Sequence, residues 1–347
     1  MSKKLFDFAI GNPPYNAEFG GSGENDTYAA PVYHTFMDAA NEVSDKVELI
    51  HPARFLFDAG STPKEWNQKM LNDPHFKVLK YEENASTVFP NTEIKGGIAI
   101  TYHDDSKDYN PIVVFTKYPE LNSILHKVTS IGTFVSINSN MYIQNCFNLE
   151  AMYKERPEYK QFIGSKGKDR RFETGIFSKI DDFKEQKTLP NDIRVLGVVK
   201  NKRTWRYFPE RFTDLMHANL RKYKVIISKS SGSGLFGETL TSPVIEEPNE
   251  AYTRTFISIG AFDIKSEAEN AAKYFKGKFF RTMLGVLKTT QHAPVDTYKY
   301  VPLQDFTENS DIDWSKSVHE IDLQLYRKYG LSVEEINFIE THVKEMV

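Results

Sequence analysis

Residues 11–16 read GNPPYN and follow directly on an apolar run, LFDFAI. Both prolines fix φ and lack an N–H, so the turn is stiff and offers carbonyl oxygens with few competing donors. The side-chain oxygen of Asn12 and the carbonyl of Pro13 can accept the two hydrogens of a planar amino group, with Pro14 stiffening the turn and Tyr15 lying flat on the ring that bears the amine. An exocyclic adenine amine is a poor nucleophile because its lone pair is delocalised into the ring. Two acceptors aimed at its N–H bonds favour a pyramidal nitrogen and expose the lone pair, so no strong general base is needed. Such a base is reachable only outside the duplex, which calls for flat surfaces to hold it.

The elements around this turn alternate. LFDFAI is a short strand; Tyr33, Phe36, Met37, Ala40 and Val43 recur at helical spacing; VELIHPA is a second strand. TPKEWNQKML is helical, and FKVLKY and GGIAITY are two more strands. The pattern predicts an α/β layer with a mostly parallel sheet, and the C-terminal ends of its strands are where such sheets place ligands. Polar and turn residues in HDDSKDYNP then mark a boundary, giving domains over 1–116 and 117–347. The second is irregular α+β, with aromatic and basic stretches and a strand, YKVIIS. Near its end, Ser266 and Glu269 fit a capping box opening one long helix, SEAENAAKYFKGKFFRTMLGVLK, and Ser332 with Glu335 fits a second box on the final helix.

Composition narrows the function classes. The chain has 347 residues, 40% apolar and 26% charged, enough for two domains with their own cores and with no apolar run long enough to cross a membrane. No signal peptide is legible at the start, and the expected location is cytoplasmic. A single cysteine, Cys146, excludes an internal disulfide and a cysteine-based zinc site, and no metal-ligand spacing such as HExxH is present. Net charge is −3, but Tyr153 to Lys229 holds 20 Lys and Arg against 10 Asp and Glu. Such a window reads either as a polyanion-binding face or as a solvated surface. Lys166, Lys168, Arg170 and Arg171 lie in one glycine-punctuated stretch, and Lys200, Lys202, Arg203 and Arg206 flank Trp205 in another. Both stretches are candidates for phosphate contacts beside a stacking aromatic.

GNPPYN after an apolar strand resembles the catalytic motif of adenine-specific (amino) DNA methyltransferases, and LIHPARFLF and STVFPNTEIKGGIAITY resemble segments that follow it in that family. The resemblance implies a partial Rossmann-like sheet, from strand four onward, and makes Phe89 the second stacking face for a flipped adenine. In the C-terminal half, IISKSSGSG, LKTTQHAP and DIDWSKSVHEIDLQLYRKYGLSVEEI resemble the target-recognition region of large type II restriction–modification methylases. Lys229, Lys288, Gln291 and His292 fall in those segments and become candidate contacts to double-stranded DNA.

The same resemblance requires a glycine-rich loop for S-adenosylmethionine. Only six residues precede Asp7, so the cofactor-binding half is expected on a partner chain or upstream, unless this is a truncated remnant. FGGSGEN at 19–25 reads as a mobile loop, because no strand separates it from the turn. Gly232, Gly234 and Gly237 spell GxGxxG after a strand, but TLTSPVIEEP follows where a helix should begin, which suits a phosphate-contact loop better than a dinucleotide site. A non-catalytic DNA-binding module is the rival reading. The ExK pairs Glu93–Lys95 and Glu185–Lys187 also match metal-dependent nucleases, a spacing that arises by chance in so charged a chain.

Overall fold

β1 (Phe6–Gly11) and β2 (Ser44–Pro52) form a parallel ladder running from Phe6 opposite Ser44 to Gly11 opposite Leu49. Between them α1 (Tyr33–Val43) makes the crossover that a parallel pair requires. The computed structural model describes residues 4–16, 30–90, 92, 94, 96–163 and 170–346. These form a mixed α/β fold with three sheets, divided into two compact units, Met1–Asn122 and Ser123–Val347.

In the first unit α2 (Lys64–Leu71), β3 (Phe76–Glu82) and β4 (Ile98–Asp104) follow, and the strand order is β1-β2-β4-β3. The ladders differ from the expected mostly parallel sheet. β4 is antiparallel to both β2 and β3. The cause is the link over 83–97, which among its described residues has no crossover helix and returns the chain as a hairpin does. Tyr33 and Met37, one helical turn apart, pack with Phe55, Trp66 and Met70 over Val47 and Leu49 to form this unit's core.

The chain passes into the second unit within α3 (Pro119–Thr129). β5 (Met141–Tyr142), α4 (Leu149–Glu155), β6 (Ile193–Val199) and β7 (Lys202–Phe208) come next, and β6 and β7 are joined by a two-residue turn. Lys200 and Asn201 both take positive φ there (48° and 61°), the geometry that matches the twist of a hairpin. β8 (Tyr223–Ser228), β9 (Val244–Glu246), β10 (Glu250–Tyr252) and β11 (Phe256–Phe262) complete two sheets, ordered β10-β6-β7 and β5-β11-β8-β9. Phe147, Phe172, Phe183, Phe208 and Phe212 fill one core beneath them.

Four helices close the chain: α5 (Lys265–Lys276), α6 (Lys278–Gly285), α7 (Val318–Lys328) and α8 (Val333–His342). Ser332 and Glu335 form the expected capping box on α8. Ser266 and Glu269 do not form theirs: α5 begins at Lys265 on an Ile264 cap, which leaves Ser266 inside the first turn. Nor is there one long helix. The buried Asp322 carboxylate accepts from the amides of Lys278 (2.8 Å) and Phe279 (3.0 Å), which starts a new helix at Gly277. A Cβ on Gly277 would stand 2.7 Å from Asp322 Oδ1. In an open helix Gly→Ala is stabilising by roughly 1 kcal/mol. Here Gly277→Ala has the opposite sign: we expect a loss of about 1–2 kcal/mol from overpacking, read as a lower urea midpoint at unchanged m.

Candidate functional site

The GNPPYN turn leaves β1 at its C-terminal end, with Asn12 and Pro14 exposed and Pro13 and Tyr15 half-buried. A bond from the Val32 amide to the Tyr15 carbonyl (3.0 Å) and a bridge between Asn16 and Pro31 tie it to the start of α1. Burial pushes the Tyr15 phenol above its ordinary value, and the Asn12 side chain draws it partly back. Its hydroxyl has no partner of good hydrogen-bonding geometry among the described residues.

Because Gly11 stands opposite Leu49, the turn emerges beside the end of β2. There His51 is buried, stacked on Tyr33 at 5.7 Å and bonded through Nε2 to Thr101 Oγ1 at 2.7 Å. Burial pulls the imidazole down to about 4, against the bond to the Pro52 carbonyl, so His51 is neutral at physiological pH. It is a fixed support for this edge of the sheet, and nothing in the sequence spacing singled it out. β3 runs in the same direction as β1, so the 83–97 link leaves the same edge. Phe89 sits half-buried in that link, its amide bonded to the Ala85 carbonyl at 2.9 Å. Gly97 lets the link close: its φ is +74° and a Cβ would fall 2.3 Å from the Glu82 carbonyl. The sheet thus brings Asn12, Pro13, Pro14, Tyr15 and Phe89 to one edge, with β2 and β4 between β1 and β3.

In the second unit the candidate DNA contacts divide. Lys166 and Lys168 lie outside the described residues. Arg170 and Arg171 border the Asn145–Asn148 segment, where Phe172 bonds the Asn145 carbonyl (2.9 Å) and Arg171 bridges Cys146. The Arg254 amide bonds the Phe172 carbonyl (2.7 Å), and its guanidinium meets Glu173 at 3.1 Å. Lys229 bonds the Thr255 carbonyl (3.0 Å), Ser230 bridges His292, and Ser231 bonds the Gln291 carbonyl (3.0 Å). Arg170, Arg171, Lys229, Gln291 and His292 therefore lie on neighbouring segments of chain, joined by isolated bridges and single backbone bonds. Burial, then Arg254 and Arg171, hold the Lys229 ammonium below its ordinary value, with Glu173 opposing. Arg254 belongs to this surface but lies outside the basic window of the sequence, so charge counting missed it.

The other stretch is not one surface. Along β7 successive side chains alternate, so Arg203 and Trp205 face one side and Lys202 and Arg206 the other. Lys200 is exposed at the hairpin tip. Arg203 reaches back to the Ser242 carbonyl at 2.9 Å and Ser228 Oγ at 3.4 Å, just before Lys229. Trp205 departs from the expected stacking role: the Arg194 guanidinium lies 3.9 Å from its ring, and it packs on the cluster of Leu196, Ile226, Tyr252 and Phe256. Arg206 is held by Glu185 at 2.9 Å. Glu93 and Lys95 lie outside the described residues.

Lys288 departs furthest. It is buried and paired with Glu238 at 2.6 Å. Glu238 also accepts from the amides of Ser233 (2.6 Å) and Gly234 (2.8 Å), so the N–H groups of the GxGxxG loop are filled by the chain's own carboxylate. Neither a phosphate nor a dinucleotide has those donors to bind.

Comparison with known proteins adds to this geometry. Residues 1–89, which carry the turn and Phe89, match the Eco57I restriction-modification methylase family. Over 94 residues the chain is 31% identical to an uncharacterized adenine-specific methylase of Mycoplasma pneumoniae (strain ATCC 29342 / M129 / Subtype 1), covering 27% of this chain and 22% of that protein. The aligned part thus spans about a fifth of the curated relative's length. Among solved structures, the type IIL restriction-modification enzyme MmeI in complex with DNA aligns over 96% of this chain and 56% of its own, at 9% identity and a TM-score of 0.36. The ATP-dependent type ISP restriction-modification enzyme LlaBIII bound to DNA aligns over 73% and 24%, at 12% identity and a TM-score of 0.20. In its first quarter the chain is similar to restriction–modification adenine methylases.

The Glu238 contacts give a pH test. Burial alone would raise this carboxyl, but the Lys288 ammonium and the Ser233 and Gly234 amides bring it from 4.5 to about 2. Its contribution is therefore present above pH 4.5 and lost as pH falls toward 2. Glu238→Gln should flatten the pH dependence of the unfolding free energy in that window. Glu238→Ala, which leaves Lys288 buried without its partner, should cost about 3 kcal/mol at pH 7 in denaturant titration.

Proposed function

We propose that this chain carries the catalytic turn and the target-recognition region of a site-specific DNA adenine-N6 methyltransferase. The observation that carries the reading is the GNPPYN turn, rigid and exposed at the C-terminal edge of the sheet within the methylase-like stretch. Asn12 Oδ1 and the Pro13 carbonyl accept the two N–H bonds of the flipped adenine, Pro14 stiffens their arrangement, and Tyr15 and Phe89 stack on the ring. The sheet is then part of a Rossmann-like methyltransferase domain over residues 1–116, and 117–347 is the target-recognition domain. A substrate of double-stranded DNA is supported by the surface of Arg170, Arg171, Lys229 and Arg254. Activity on DNA puts the chain in the cytoplasm with its substrate, and among the described residues no helix is long and apolar enough to cross a membrane.

S-adenosylmethionine is the methyl donor expected of such a family, yet the described residues do not fit it. The GxGxxG loop is closed by Glu238, and FGGSGEN lies outside the described residues. The cofactor is therefore assigned to a further unit, upstream in the same polypeptide or on a partner chain. What supports such a unit is the outer face of β1, where Phe6, Phe8 and Ile10 are 57%, 53% and 76% exposed on a strand that pairs only with β2 among the described residues. Edge strands with apolar faces ordinarily need a cover. A non-catalytic DNA-binding module shares the basic surface and is separated from the enzyme by rate measurements.

With the cofactor-binding unit present, Asn12→Ala should lower single-turnover methylation roughly 100-fold, because its acceptor acts as the amine becomes pyramidal. Duplex affinity should change little. An unchanged rate removes the catalytic role. For the isolated chain, log K against log[salt] should fall with a slope of about −4 to −5 if about five cations neutralise phosphates. Arg170→Ala with Arg171→Ala should flatten it by about two units, whereas Arg206→Ala, already held by Glu185, should leave it unchanged. Equal slopes in all three would locate DNA binding elsewhere.

A further inference from the structure

Met216 is the most exposed large apolar side chain among the described residues, at 89%, and its neighbour Leu215 is 42% exposed. Exposure of this kind usually means a mobile tip, but this tip is fixed. The Met216 amide donates to Asp214 Oδ1 at 3.0 Å, the Asp214 amide to the Cys146 carbonyl at 2.9 Å, and His217 Nε2 lies 3.0 Å from the Ile143 carbonyl. On the near side the Asn148 amide bonds the Phe212 carbonyl at 2.8 Å, and Thr213 bridges Phe147. A rigid apolar projection with Asp214 and His217 at its base has no role in the core of its own unit.

Its surroundings indicate what it meets. The Asn145–Asn148 segment runs between the tip on one side and Arg170 and Arg171 on the other, through the Cys146–Arg171 and Phe147–Thr213 bridges. Two strand spacings separate tip from arginines, about 10 Å, which is within the reach of an arginine on a phosphate backbone while the tip enters the adjoining groove. Arg170, Asp214, Leu215 and Met216 line one open depression, so cation and apolar tip face the same space. Arg254, paired with Glu173, and Lys229 lie on the segments beyond, through the Arg254–Phe172 and Lys229–Thr255 backbone bonds.

We infer that Leu215 and Met216 form a wedge that enters duplex DNA at a base step and partly unstacks it, an inference that rests on the DNA-binding reading above. Apolar wedges flanked by phosphate-binding cations kink and unstack duplexes in this way, and methionine and leucine are among the side chains used. The wedge favours DNA whose stacking is already weakened, because part of the unstacking cost is then absent. A protein partner is the other class of surface such a tip can meet, and the excess of Arg170, Arg171, Lys229 and Arg254 over Asp214 and Glu173 favours the polyanion.

The test compares the full chain on two labelled duplexes of equal length and charge, one fully paired and one with a central two-base mismatch, by anisotropy at 50–150 mM salt. The parent should bind the mismatched duplex about five- to tenfold more tightly. Leu215→Ser with Met216→Ser should bring the ratio to within twofold while leaving the salt slope and the thermal unfolding midpoint unchanged, and Met216→Leu should keep the preference. A parent that binds both duplexes equally overturns the wedge and leaves the DNA-binding reading standing. So does a serine double mutant that retains the preference, or one whose only change is in self-association. Failure to bind either duplex at 50 mM salt overturns the DNA-binding reading, and the wedge with it.

Discussion

The parallel ladder between β1 and β2 is the constraint on which the candidate catalytic site depends. It sets Gly11 against Leu49, so that the GNPPYN turn leaves the sheet beside His51 and Pro52, the last residues of β2. A one-residue slip would turn Ala9 out of the core and reverse every side chain of β1. Register is held by α1, whose Tyr33 stacks on His51 and packs against Phe55 and Trp66. His51 in turn bonds Thr101 on β4. The turn can then present acceptors at fixed positions, which is what stabilisation of a developing charge by preorganised dipoles requires.

A comparable hub organises the second unit. The Tyr252 hydroxyl, fully buried, meets Ser258 Oγ at 2.7 Å and the carbonyls of Ile143 (2.9 Å) and Tyr142 (3.2 Å), and its amide donates to Asn145 Oδ1 at 3.0 Å. These bonds fix the start of the segment that carries Cys146 and Phe147, and so fix the segments of Arg170, Arg171 and Asp214 bridged to either side of it. Burial holds this phenol well above its ordinary value, which keeps it a neutral hydrogen-bonding post. Positive surface and apolar tip are thus borne on a rigid support, where recognition of a stiff polymer needs them.

Local signals were legible where a single element decides the outcome. Tyr33 to Val43 at helical spacing, YKVIIS as a strand and the Ser332–Glu335 box all appear as the residues suggest. What the sequence withheld is set by long-range contacts. Asp322 divides α5 from α6 from a position more than 40 residues away, and Glu238 fills a glycine loop that spacing alone offered to a phosphate. Trp205 looked available among basic neighbours, yet the alternation of a strand and the Arg194 guanidinium commit it inward. Conversely Arg254 stood in an unremarkable stretch and became part of the positive surface only through its pairing beside Phe172. Propensity and spacing report on neighbours in the chain; which cation faces solvent is decided by neighbours in space.

We propose that the chain supplies the amine-activating turn while another unit supplies the methyl donor's site. The most direct measurement is mass-spectrometric detection of N6-methyladenine in duplex DNA incubated with S-adenosylmethionine and the chain, its cofactor-binding unit, or both. The account predicts the modified base only when both are present. N6-methyladenine formed by this chain alone, or by the cofactor-binding unit alone at an equal rate, would contradict it.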